Sequence, residues 1–355
     1  MRTPIRHSIR PLALRPLALR RSLSIALLAV VAACDDSVNP VRPDGEGLKA
    51  DLDAVAGAVM SATSISYGVL GGAMSSALGG GSLLTDESAV AVVLPPQAVG
   101  RTFVYDTLSD RYVVSERAGA PPAGVRFVLY GVDPELGSVI RPLVETGWAD
   151  FSRSVTDGNE SVRVEAYASG NPPVKVLDYS AGLRGPALLQ TLALTGWMRN
   201  AADSLTFALT TRFDREGVVL DWRTALPARG ILSRMKTTFS FARDAELRLD
   251  GSIRSRSGEL GLGGVLSPAT GGTLLATVNG NPFAKLALAG LGSIEGFGGF
   301  DDRTVTFTRP DGAPVSPEAQ QLLGTMLAWF AGGFGLLVGL LTPMETLLAG
   351  PGITL

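Results

Sequence analysis

Side chains able to do covalent or metal chemistry are scarce in this 355-residue chain. Imidazole and thiol occur once each, at His7 and Cys34, and neither recurs after position 34. That removes Ser-His-Asp and Cys-His catalysis from the body of the chain, together with zinc sites built on His or Cys, His-held haem and iron–sulfur clusters. Carboxylate and Ser-Lys chemistry remain. The four lysines are Lys49, Lys175, Lys236 and Lys285, and one of them completes a Ser-x-x-Lys run, Ser233-Arg234-Met235-Lys236. Such a pair works with Ser-Asp-Asn and Lys-Thr-Gly elements, and the chain contains neither. Ser233 also opens a segment that reads as a strand. Asp133-Pro134-Glu135 and Asp301-Asp302 offer oxygen ligands of the kind calcium takes, but they read as turns with solvated acids. No P-loop and no G-x-G-x-x-G after a strand is present. We therefore expect no catalytic residues, no cofactor site and no metal site.

The lone cysteine has a different context. Arg2, Arg6, Arg10, Arg15, Arg20 and Arg21 precede it with no acidic residue among them, and an uncharged run follows from Ser22 to Ala33. A basic start, a short apolar stretch and small residues before a cleavage point are the pattern of a secretory signal. About a dozen apolar residues are too few for the ~20 of a spanning helix. The run ends Val31-Ala32-Ala33-Cys34 and resembles the lipobox of bacterial lipoproteins. The resemblance implies that residues 1–33 are removed as a signal peptide and that Cys34 receives a diacylglyceryl group and often an N-terminal acyl chain, such as palmitate. The protein would then be exported and held on the cell envelope, since two or three buried acyl chains anchor where one does not. Asp35 resembles a retention signal of enterobacterial lipoproteins, with inner and outer membrane, periplasmic and surface face all left open.

Without the leader, 25 basic and 33 acidic side chains remain, a net charge of −8. The mild acidity disfavours nucleic acid and other phosphate-rich partners. Only 18% of the chain is charged and 46% is hydrophobic, which excludes general disorder.

The elements follow from the patterning. Residues 34–47 form the lipid anchor and a flexible tether, with two prolines and four acids after Cys34. Residues 48–355 are expected to be a single domain. Its 48–85 segment reads as helical, with apolar residues from Leu48 to Met74 at helical spacings and no charge between Ala54 and Thr85. Its 99–310 segment shows period-2 alternation, as at Leu205, Phe207 and Leu209 or at Val218, Leu220 and Trp222, and predicts an antiparallel meander of ten to twelve strands. Five glycines between Gly290 and Gly299 read as a tight corner.

Residues 316–349 read as an apolar helix. Ser316-Pro317-Glu318 is its start signal, Ala319–Met344 carries no charge, and Pro343 is expected to bend or end it. One reading makes 319–344 a transmembrane helix, with Gly335 and Gly339 as a helix-contact motif. The other buries it on the apolar face of the meander, which needs a cover.

The fold class expected is α+β, a large curved antiparallel sheet (a meander or half-barrel) with the N- and C-terminal apolar helices packed on it. In outline this is similar to the half-barrels of lipoprotein carriers and receptors, a likeness of architecture only. The function expected is non-enzymatic: a lipid-anchored envelope protein, with a lipid or other hydrophobic ligand as partner in a groove. The alternatives are a structural or assembly lipoprotein with a filled core, and a membrane-integrated component.

Overall fold

The computed structural model describes residues 47, 50–51, 62–79, 94–133, 136–156, 159–185, 189–241, 246–267, 270–288 and 305–348. The leader, Cys34 and most of the tether lie outside the described residues, as do Pro134, Glu135, the 290–299 glycines, Asp301 and Asp302.

The first strands are β1 (Thr102–Asp106), β2 (Arg111–Ser115), β3 (Gly124–Tyr130), β4 (Val132–Asp133) and β5 (Ser138–Val139). A long run follows: β6 (Glu145–Thr156), β7 (Asn159–Ala168), β8 (Val174–Arg184), β9 (Gln190–Arg199), β10 (Ser204–Phe213) and β11 (Gly217–Leu226). It continues through β12 (Ile231–Ser240), β13 (Leu247–Ser255), β14 (Gly258–Ser267), β15 (Gly271–Val278), β16 (Asn281–Leu288) and β17 (Val305–Thr308). Fifteen strands make one open sheet in the order β17-β16-β15-β14-β13-β12-β11-β10-β9-β8-β7-β6-β3-β1-β2, and β4 and β5 pair by themselves.

From β6 to β17 each strand pairs antiparallel with its sequence neighbour. The start of the sheet departs from that rule, because β1 lies between β2 and β3 and runs parallel to β3. The sheet is thus larger than the ten to twelve strands expected, and one of its pairings is parallel.

Alternation in the sequence becomes two faces. On β10, Leu205, Phe207 and Leu209 are buried while Ser204, Thr206 and Thr210 are exposed. The turns obey backbone sterics: Asn279 and Gly280, between β15 and β16, have φ of 50° and 79°, the pair of positive values that the tight hairpin turn requires.

Helices α1 (Ala62–Gly79) and α2 (Pro317–Leu341) flank the strands in sequence, and a 3₁₀ turn at Thr342–Met344 leads into the short α3 (Glu345–Leu348). Ser316 caps α2, its Oγ accepting from the Ala319 N–H at 3.3 Å, with Pro317 in the first turn. The helix gives way to the 3₁₀ turn just before Pro343. Tyr67, Leu70, Met74 and Leu78 are buried on α1, as are Leu322, Leu323, Met326, Phe330 and Leu340 on α2. α1 meets the turn after α2 where Pro343 lies so near Gly71 that an added Cβ would come within 3.0 Å of its ring.

Candidate functional site

Ser233 and Lys236 do not form a dyad. Three residues apart on β12, they point to opposite faces, because side chains alternate along a strand. Ser233 is buried and its Oγ accepts from the Trp329 indole N–H of α2 at 3.0 Å. Lys236 is exposed, in register with Asp221 on β11 and Asp250 on β13. The residues that resembled a catalytic pair are a helix-docking acceptor and an outer-face cation.

The buried face of the sheet is the first candidate site. An aromatic row crosses it: Phe103 and Tyr112 each lie 5.0 Å from Phe127, and Phe127 lies 5.4 Å from Phe151. The row continues through Tyr67 of α1 to Tyr179, Phe207 and Trp222, with ring centroids 6.0–6.3 Å apart. α2 meets the same face further along. An added Cβ at Gly251 of β13 would sit 2.6 Å from the Phe330 ring, so this strand position must lack a side chain for the helix to approach. Gly196 serves Tyr179 in the same way, with an added Cβ 2.2 Å from the Tyr179 Cβ.

Polar atoms on this face are few and mostly paired. The Tyr67 hydroxyl donates to that of Tyr179, which donates to the main-chain carbonyl of Leu340 at 2.7 Å. That direction follows because a hydroxyl has a single proton and Leu340 can only accept. Burial raises the pKa of Tyr67, and the neighbouring Tyr179 adds to it; burial likewise raises Tyr179. Both stay neutral in the physiological range. The Trp222 indole N–H is different: it is buried beside Gly333 of α2 and has no hydrogen-bond partner among the described residues. Among the described residues the only buried charged side chain is Asp150. This face offers apolar contact, neutral hydroxyls and one orphan donor, and among the described residues no ionised acid or base.

Asp150 belongs to the second candidate, on the outer face. Arg126 of β3 holds it with two hydrogen bonds of 2.7 Å and lies 4.8 Å over the Trp148 ring. Trp148 stacks on Tyr167 of β7 at 5.3 Å, and Lys175 of β8 lies 5.6 Å over Tyr167. Lys175 also donates to Glu165 and Asp178, while Arg163 donates twice to Asp178 at 3.0 and 2.8 Å. Burial would raise the Asp178 carboxyl, but hydrogen bonds from Arg163 and Lys175 outweigh it and hold the pKa below the ordinary value. With every charge here answered by its opposite, the cluster ties four strands together and leaves no free nucleophile.

Neither site was singled out by the sequence. One signal was present for the first: Tyr67 is the only aromatic residue in the uncharged 54–85 stretch, and a buried tyrosine needs a partner for its hydroxyl. Of the calcium-like acids only Asp133 is described, where its carboxylate accepts from the Leu136 N–H in the β4–β5 turn at 3.1 Å. Among the described residues no group of three His, Cys, Asp or Glu is arranged to hold a metal ion. Among the same residues no helix is long and apolar enough to cross a membrane. Comparison with family models, with curated proteins and with solved structures found no match.

Proposed function

We propose that this chain is a non-enzymatic, lipid-anchored envelope lipoprotein that houses a lipid or other hydrophobic ligand between its helices and a curved sheet. Val31-Ala32-Ala33-Cys34 supports the anchor: residues 1–33 leave as the signal peptide, Cys34 carries the diacylglyceryl group, and 35–47 tether the domain to the bilayer.

The path of α2 supports the curvature. Phe330, Gly333 and Leu340 meet Gly251 on β13, Trp222 on β11 and Tyr179 on β8. From 330 to 340 a helix rises about 15 Å, while the five inter-strand steps from β13 to β8 span about 24 Å. A helix keeps pace with the strands over that distance on the inner side of a bent sheet, as in a half-barrel.

The observation that carries the ligand is the buried, unpartnered Trp222 N–H. An orphan donor in an apolar interior calls for an acceptor, and small-molecule sites are mostly apolar with a few such groups. The aromatic row from Phe103 to Trp222 favours the second reading, a structural lipoprotein whose core is filled by its own side chains.

Native mass spectrometry of residues 35–355, purified without detergent, separates the two. Co-purifying adducts of lipid mass support the carrier or sensor and define the ligand class. A bare polypeptide mass defeats ligand binding and leaves the structural lipoprotein.

A further inference from the structure

The strand directions give the sheet two ends. β1 and β3 run parallel, and alternation from β6 onward brings the β1–β2 turn, the 131–144 connection and the turns after β7, β9, β11, β13 and β15 to one end. The two most exposed large apolar side chains of the described residues lie there. Leu108 in the β1–β2 turn is 96% exposed and Leu136 in the β4–β5 turn is 76% exposed; Ile140, Val144 and Val174 are exposed at the same end. These loops are tied to one another, since Arg141 donates to the Thr107 carbonyl at 3.1 Å and the Gly131 N–H and C=O bond Val144 and Ile140.

The N-terminal chain arrives at the same end. Asp51 accepts from the Ser257 hydroxyl at 3.1 Å, and Ser257 lies in the turn between β13 and β14. The 13 residue-to-residue steps from Cys34 to Gly47 reach at most about 45 Å when extended. A lipid on Cys34 would therefore turn this end of the sheet, rather than the other, toward the bilayer, with Leu108 nine strand steps from the tether's root.

We propose that this end of the sheet is a membrane-docking face, on which Leu108 and Leu136 enter the acyl boundary of the bilayer that carries the Cys34 lipid. The proposal rests on the reading of Cys34 as lipidated. Apolar loop tips left in water gain by transfer into hydrocarbon, and a tether rooted at the same end raises their effective concentration at the surface.

The test is depth-dependent quenching. Full-length Leu108→Cys and Leu136→Cys proteins are produced in a bacterium, labelled on thiol with a fluorophore, and reconstituted in vesicles of phosphatidylethanolamine and phosphatidylglycerol with brominated acyl chains. Phe241→Cys, in the loop after β12 at the opposite end, is the control. Fluorescence is expected to be lost at 108 and 136 and retained at 241. Equal quenching at all three sites, or none at 108 and 136, overturns the proposal.

Label stoichiometry reports on the anchor separately. One fluorophore per chain means that Cys34 is blocked, whereas two mean that it is free, which defeats the lipid anchor and with it this proposal. Leu108→Asp with Leu136→Asp in the unlabelled protein is expected to weaken vesicle binding of the Cys34→Ser form by an order of magnitude or more, and unchanged binding also overturns the docking face.

Discussion

The hydroxyl of Tyr179, in the middle of the sheet, donates to the main-chain carbonyl of Leu340 at 2.7 Å across 161 residues of sequence. Leu340 stands in the last turn of α2, where carbonyls run out of helical N–H partners. The contact therefore satisfies a helix end and fastens the C-terminal helix to β8, and the Tyr67 hydroxyl brings α1 into the same clasp.

Tyr179→Phe removes the shared hydroxyl and leaves both neighbours buried without it. We expect a loss of about 1–3 kcal/mol, read as a lower urea midpoint, with faster amide exchange in 336–341. Tyr67→Phe should cost less, because Tyr179 keeps its acceptor. Equal effects of the two substitutions would contradict the order of donation.

Gly251→Ala forces a methyl group against the Phe330 ring. Overpacking of this kind costs about 1–3 kcal/mol. Adding Phe330→Leu should recover part of that loss, so thermal melts of the four proteins in the cycle should show a coupling above about 0.5 kcal/mol. Simple additivity would mean that the ring and the glycine are not in contact.

Ser233→Ala deprives the Trp329 indole of its acceptor and should destabilise the protein by about 1 kcal/mol. Lys236→Ala, on the solvated face, should stay within about 0.5 kcal/mol of the parent. A serine–lysine dyad would behave otherwise: both substitutions would abolish the same hydrolytic activity in a substrate screen.

Asp178 has a folded-state pKa below its ordinary value. Its ionised form binds Arg163 and Lys175, so its contribution is complete above the unfolded carboxyl pKa of about 3.9. It is lost as the pH falls through the lower folded value. Denaturation between pH 6 and 2 should show the parent losing more stability than Asp178→Asn, with the two curves converging at the acid end. Parallel curves would remove Asp178 from the acid response.

Most of the antiparallel run was legible in local patterning, though not the full strand number or the parallel β1–β3 pairing. Alternation at Leu205, Phe207 and Leu209 requires a strand with one wet face, and repeating it with turns every ten residues requires an antiparallel neighbour. The start of α2 was legible as well, because Ser316 and Pro317 act through the backbone of their own first turn. On β6 the inner positions include Gly147 and Ala149, too small to register as a hydrophobic stripe, whereas on β9 Leu192, Leu194 and Met198 carry the stripe and Gly196 interrupts it. Glycine there serves a partner elsewhere: Gly196 admits Tyr179, and that need is invisible in a local window.

Which residues meet depends on long-range packing. The fold separated Ser233 from Lys236 by the two-residue period of a strand, seated β1 beside β3 in parallel, and joined Tyr67, Tyr179 and Leu340 through contacts more than a hundred residues apart in sequence. Local patterning specifies which face of an element is dry. The partner that keeps it dry is chosen by packing across the whole sheet, where shape and one hydrogen bond at a time select among many apolar surfaces.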